Sequence, residues 1–561
     1  MRRQTSSKGF ATLSAASVIS KVLAFVYLPI QAMLVHDSGN GVISAGFKLY
    51  LFIYALSNAG LPVIISKFIS ERDDFGDYRG SQVIFRTAFF ITLALGIVSS
   101  LFTFFASGFL ANWCGMPEAK LMFMVIAPTF LFASVGCSLR GYFQGKQDMM
   151  PTAISQIVEQ IINSLFTALL EILFFHYAVQ ANKDTVTYTA AGSAAATVMA
   201  AIGSTAFLAF LYFFVFRKQR EREYSQQKYE GPTIKSRFVF KHILMFIIPA
   251  IISCVATSAA DIIDTKSCIP LLLKGGYSVT QAYSLFGIYS TKYQRLLTLP
   301  VIFVTPLVTA IMPSLASAKS RGDYEYFRYK VNEGYRLNFI VVMPIVAGLS
   351  FLAKPILTVI FTMQNAGSLM IILGTWMALL TTVQTLQSGI LIALDRPLIS
   401  PITLIIGMVI KTIINYIFIP IYSINIYGAL IGNTIAWIIS IAINQYYINK
   451  VMKKGQVLRK YILKPGISAL TMGGLCLGFY TILFLIMNLI SKSYLLTNDL
   501  AVLFTIPIGA IIYFVMMIRM GCINTNDLKR LPKGTKIVEV CTKIPFLRSA
   551  LNSVKPSNYI S

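Results

Sequence analysis

The constraint that narrows this chain most is a succession of unbroken apolar blocks, each about 20 residues or longer, such as 87–105, 121–139 and 466–490. A helix of that length crosses the roughly 30 Å hydrocarbon core of a bilayer. In lipid every backbone N–H and C=O must be satisfied within the structure, so such blocks form helices rather than open strands. Charge agrees with this class. Only 12% of the residues are Asp, Glu, Lys or Arg, against about a quarter in a soluble globular protein. The pattern predicts an all-α polytopic membrane protein with about fourteen transmembrane helices. They fall near 10–34, 42–66, 83–106, 121–142, 151–177, 188–216, 242–272, 283–318, 337–353, 368–394, 400–422, 426–448, 461–489 and 497–518.

A net charge of +26 would point a soluble protein toward nucleic acid. Here its placement argues otherwise. With a cytoplasmic N-terminus, most of the 48 Lys and Arg fall in intracellular segments, as the positive-inside rule requires. That places both termini in the cytoplasm. The basic segments 217–241, 450–464 and 519–555 then face anionic lipid headgroups, and nucleic acid is not an expected partner. The basic start, 1–8, precedes an apolar run and reads as the lead of an uncleaved first helix. The seven cysteines are scattered without a CxxC pair, so neither a metal site nor a disulfide framework is expected. No cofactor is expected either. The chain is expected to act as a monomer.

Loops are short nearly everywhere, which leaves no soluble module for catalysis. An internal repeat organises the spans. Gly60-Leu61-Pro62-Val63-Ile64 in span 2 answers Leu299-Pro300-Val301-Ile302 in span 8, and Glu159-Gln160-Ile161-Ile162-Asn163 in span 5 answers Lys411-Thr412-Ile413-Ile414-Asn415 in span 11. Both matches lie six spans apart, which preserves orientation and predicts parallel repeats with substrate held between the halves. The expected division is a six-helix lobe (1–216), a basic linker (217–241), a second six-helix lobe (242–448), two further helices (449–518) and a basic tail (519–561).

Cations inside the spans are the chemical signal: Lys21, Lys48, Lys292, Arg295 and Lys411. Each costs about 2.5–3.5 kcal/mol at a helix centre on insertion scales, so most should face the bundle interior or water. Snorkelling from a helix end is the competing reading for Lys48 and Lys292. Lys411 stands where Glu159 stands in the other repeat, and the two could pair across the pseudo-symmetry axis. Asp261 and Asp264 share a face at i, i+3; they could bind a coupling cation or neutralise Lys292 or Arg295. Glu171 reads as interfacial. Pro300, Pro306 and Pro313 predict a bent span 8. The three histidines, His36, His176 and His242, sit near span ends and receive no catalytic role. A cluster of cations in a membrane cavity needs an anion, and phosphate oxygens suit Arg and Lys.

The run Arg140-Gly141-Tyr142-Phe143-Gln144-Gly145, followed by Met149-Met150-Pro151-Thr152-Ala153-Ile154-Ser155-Gln156-Ile157-Val158-Glu159-Gln160, resembles the stage V sporulation protein B group. That group belongs to the multidrug/oligosaccharidyl-lipid/polysaccharide exporter superfamily. Ala59-Gly60-Leu61-Pro62-Val63-Ile64-Ile65-Ser66-Lys67 fits it as well. The resemblance implies two six-helix lobes and alternating access, and spans 13 and 14 look like the extra pair that serves the lipid tail in lipid II flippases. Ser20-Lys21-Val22-Leu23, Phe47-Lys48-Leu49 and Arg295-Leu296 with Leu299-Pro300 resemble cation-bearing flippase segments. Tyr27 and Tyr54 stand where those flippases place further arginines, so the implied anion site is less basic here.

The expected function is therefore a non-enzymatic flippase for a polyprenyl-diphosphate-linked cell-wall sugar, lipid II or a relative, with Lys21, Lys48, Arg295 and Lys292 on the phosphates. The alternatives are a cation-coupled multidrug exporter of the same fold, a membrane-embedded polysaccharide polymerase or glycosyltransferase, and a structural scaffold.

Overall fold

A computed structural model describes residues 15–21, 23–58, 60–217, 221–222, 225, 231, 236–362, 365–452, 459–490, 493–523, 538–539 and 542–543. The basic start 1–8, most of the 217–241 linker and most of the tail after 523 lie outside the described residues, as do the side chains of His242, Pro249, Cys254 and Pro313. The described chain is helical. After a stretch at 15–21 come α1 (Leu28–Asn58), α2 (Leu61–Asp74), α3 (Tyr78–Phe105), α4 (Ser107–Trp113), α5 (Lys120–Ile126), α6 (Pro128–Gly145), α7 (Met150–Gln180) and α8 (Thr185–Phe210). Next are α9 (Ser236–Lys274), α10 (Val279–Gly287), a π-helical run (Ile288–Tyr293), α11 (Gln294–Ser320), α12 (Tyr324–Phe351) and α13 (Ala353–Phe361). The chain continues through α14 (Ser368–Gly374), α15 (Met377–Ala393), α16 (Ile399–Phe418), α17 (Tyr427–Met452), α18 (Arg459–Ile490) and α19 (Tyr494–Arg519).

Local chemistry sets several helix starts. The side chains of Asp77, Asp184 and Asp323 accept from the backbone N–H of Gly80, Thr187 and Tyr326, each three residues on. These bonds satisfy donors that a helix N-terminus otherwise leaves open. Ser278 and Gln281 form a reciprocal capping box at α10.

Nine helices among the described residues are long and apolar enough to cross a membrane, and eleven when two bent pairs are included. The bent pairs are 117–126 with 128–145 (42°) and 368–374 with 377–393 (45°). They lie in expected spans 4 and 10. The regions of spans 7 and 8, which carry several charges, form α9 and α11. In span 8, helix runs on from 294 to 320 across Pro300, Pro306 and Pro313, and a π-helical run precedes it. The break expected between spans 1 and 2 falls at His36: α1 is two helical segments joined across a kink there (φ 52°, ψ −166°), a backbone region that costs an L-residue of order 1–3 kcal/mol. Span 2 breaks again at Gly60 (φ 65°), and Pro62 opens α2.

The chain forms two compact units, one of residues 1–292 and 398–440, the other of residues 293–397 and 441–561. In the first, α7 and α8 form the tightest pair. The inward side of α8 is a run of buried small residues, Ala190, Ala191, Ala194 and Ala201 among them, and small side chains let membrane helices approach closely. In the second unit, α18 and α19 pair with each other, and α18 packs on α12. Tyr480 donates to Asn498 (2.7 Å), Asn498 to the Pro355 carbonyl (3.3 Å) and Tyr513 to the Ile340 carbonyl (2.9 Å).

In the first unit α1 and α10 meet backbone to backbone through two glycines. A Cβ on Gly41 would lie 2.4 Å from the Tyr283 carbonyl oxygen, and one on Gly287 would lie 1.9 Å from that of Asp37. Gly287→Ala should therefore lower the melting temperature of detergent-solubilised protein, by the equivalent of roughly 1–3 kcal/mol. Gly348→Ala, where a Cβ meets nothing within 4 Å, should leave it unchanged or raise it slightly.

Candidate functional site

The close approach of α1 to α10 places the π-helical run beside the first half of α1. Four of its successive side chains, 289–292, are bonded within the first unit. Tyr289 donates to Asp264 (2.7 Å), Ser290 and Ser44 share a hydrogen bond (2.5 Å), and Thr291 donates to the Asn40 carbonyl (3.3 Å). Lys292 Nζ lies 2.7 and 3.0 Å from the two carboxylate oxygens of Asp37. π-Helical insertions occur often at functional sites, and here one supports a set of intramembrane charge pairs.

Lys411, from α16, is the most enclosed member of that set. Its Nζ lies 2.8 Å from Asp264 and donates to the Ala260 carbonyl (3.0 Å). Asn415 donates to the other Asp264 oxygen (3.3 Å), and Asn433 donates to the Tyr289 hydroxyl (2.6 Å). Lys48, from α1, is placed differently. Its Nζ is 3.6 Å from Asp261 and sits against two rings, 5.2 Å from the Phe286 centroid and 5.6 Å from that of Tyr289. Asp261 and Asp264 thus do share a face of α9, one turn apart. Their cations are Lys48 and Lys411, not Lys292 or Arg295 as expected.

The expected pairing of Glu159 with Lys411 does not form. Glu159 is bonded by Arg140 across the α6–α7 turn, and Arg140 Nε also donates to Ser155 (3.2 Å). The physical reason is proximity: each partner has an opposite charge within its own helix neighbourhood. Glu171, read from sequence as interfacial, lies inside the protein. It is fully enclosed and accepts from Gln31 (2.7 Å) and from Ser193. Lys21 is exposed on the stretch at 15–21, while Arg295 is half-buried near the start of α11 in the second unit.

Asp37, Gln31, Tyr289 and Asn433 were not singled out from sequence. Asp37 lies in His36-Asp37-Ser38-Gly39-Asn40-Gly41, whose composition signals a turn. The available clue was charge arithmetic, since enclosed cations require nearby anions. As a result the site differs from a simple cationic cluster: Lys48, Lys292 and Lys411 are matched by Asp261, Asp37 and Asp264. Among the described residues, no three His, Cys, Asp or Glu side chains gather to hold a metal.

The many long apolar helices define a multi-pass membrane protein. The chain belongs to the polysaccharide biosynthesis protein family, whose profile matches residues 6–319, over half its length. Among curated proteins of Bacillus subtilis it is 25% identical to membrane protein YabM over 540 residues, covering 94% of this chain and 95% of that one. It is 23% identical to stage V sporulation protein B (95% and 98% covered) and 22% identical to the lipid II flippase MurJ (77% and 80% covered). Its fold resembles an inward-facing multidrug resistance MATE family transporter of the MOP superfamily, with TM-score 0.61, 17% identity, and 78% of this chain and 96% of that one covered. A Pyrococcus furiosus MOP superfamily transporter, described for the reverse polarity of its binding pocket, gives TM-score 0.57 at 17% identity, with 80% and 97% covered.

Breaking an enclosed ion pair strands a charge and typically costs about 3–5 kcal/mol. Lys411→Met and Asp264→Leu should each sharply reduce the yield of folded protein. The double variant should recover much of it, giving a large coupling in a double-mutant cycle of thermal stability.

Proposed function

We propose that this transporter flips a polyprenyl-diphosphate-linked cell-wall sugar precursor, lipid II or a related lipid-linked oligosaccharide, from the cytoplasmic to the outer leaflet of the bacterial cell membrane. Both termini are cytoplasmic in this reading, and the basic segments contact anionic lipid. The cycle is alternating access of two six-helix lobes, 1–216 and 242–448, without covalent chemistry. α18 and α19 accompany the lipid tail. Substrate shifts the conformational equilibrium only by binding one state better than the other.

The observation that carries the reading is Lys48: an intramembrane ammonium on an aromatic wall, with a long ion pair to a half-exposed carboxylate. It is the member of the charge set best suited to exchange partners with a phosphate. Lys21 and Arg295 provide further phosphate contacts in this proposal. Lys292, enclosed with Asp37, and Lys411, enclosed with Asp264, serve mainly to hold their helices. Similarity to a lipid II flippase supports a lipid-linked sugar as the substrate class. A cation-coupled drug exporter is less well supported, because each of the three aspartates of the set already faces a lysine.

The test is protection of labelled lipid II headgroups in vesicles containing the purified protein. Wild type should translocate the lipid. Lys48→Ala and Arg295→Ala should each slow translocation about tenfold or more, the loss expected for a hydrogen bond to a charged group. Unchanged rates in both variants would remove the site assignment, and no translocation by wild type would remove lipid II as substrate.

A further inference from the structure

The aspartates that face Lys411, Lys292 and Lys48 differ in how far the protein encloses them. Side-chain exposure is 0% for Asp264, 14% for Asp37 and 49% for Asp261. The paired ammonium groups are all largely enclosed, at 1%, 1% and 11%. Only Asp261 among the three combines a long ion pair with wide exposure, so it is the carboxylate least held in place by surrounding protein. Lys48 does not depend on that carboxylate for its position. Phe286 and Tyr289 form a wall beside its Nζ, and a cation held over ring faces is attracted by them directly. The Tyr289 ring is itself fixed at its hydroxyl by Asp264 and Asn433. The wall therefore stays in place when Asp261 moves away.

We propose that Asp261 is a built-in competitor for the Lys48 phosphate site. In the empty transporter the carboxylate occupies Lys48. An incoming diphosphate, with more charge and more acceptor oxygens, displaces it into water, and Asp261 returns to Lys48 as the headgroup departs. This inference rests on the diphosphate reading above and adds a specificity element to it. A neutral headgroup cannot displace the carboxylate, and the resident charge keeps Lys48 from holding the product too tightly. Binding that must first free a competent site is weakened by the fraction of that site available, so removing the competitor tightens binding.

The experiment measures equilibrium binding of farnesyl diphosphate, a short-chain polyprenyl diphosphate, to the purified full-length protein in nanodiscs, with farnesol as the neutral arm. Asp261→Asn should tighten farnesyl diphosphate binding by up to about fivefold, the upper end expected on losing a partly exposed charge pair. Farnesol binding should not change. Asp261→Glu, which keeps the carboxylate, should remain close to wild type. Lys48→Gln should weaken diphosphate binding, and Lys48→Gln/Asp261→Asn should match Lys48→Gln without any gain. In the vesicle assay Asp261→Asn should translocate more slowly despite binding more tightly.

Unchanged or weaker binding by Asp261→Asn, with Lys48→Gln still weakened, would overturn the competitor role and leave the diphosphate reading standing. A gain that persists in the Lys48→Gln background would also overturn it, because the gain would then not pass through Lys48. No binding of farnesyl diphosphate by wild type or any variant would remove the diphosphate reading and this inference with it.

Discussion

An ammonium group in hydrocarbon must find either water or an anion, and this requirement organises the first compact unit. Lys292 and Lys411 are almost wholly enclosed, and each has a carboxylate within 3 Å. A buried pair is poor evidence for net stability, since desolvation offsets much of the attraction. Its stronger effect is to make other arrangements of the same helices costly. Asp37 ties α1 to the π-helical run, and Asp264 ties α9 to α16 while also holding Tyr289. The glycine contacts between α1 and α10 bring these groups within reach.

On that fixed background Lys48 is the exception. The same helix, α9, supplies one aspartate to a closed cage and another, one turn earlier, to a more exposed and longer pair. The closed pair gives the fold its register; the open one is able to exchange partners. Electrostatic recognition in this transporter then depends on which cation can be released, since the lysines and aspartates of the set balance.

Much of the fold was legible in the sequence because hydrocarbon permits few solutions. Apolar blocks of bilayer length with little charge could only be helices, and α3, α7, α8, α18 and α19 follow them closely. The turn composition of 35–41 was legible too, and the chain kinks there at His36; the close packing of the following segment against α10 was not. For the site, sequence located Lys48, Lys292, Lys411, Asp261 and Asp264 as charges inside spans, but it did not reveal their partners. The repeat pointed from Glu159 to Lys411, whereas folding gave each a different neighbour. Asp37 escaped notice because it stands beside the turn at His36, and the turn composition gave no sign that Lys292 packs against it.

The account is tested most directly by the structure of this transporter with a polyprenyl-diphosphate sugar bound. The expected result is a phosphate oxygen at about 3 Å from Lys48 Nζ, with the Asp261 carboxylate turned away and the Asp264–Lys411 pair intact. A bound diphosphate held elsewhere, with Lys48 still facing Asp261, would contradict it.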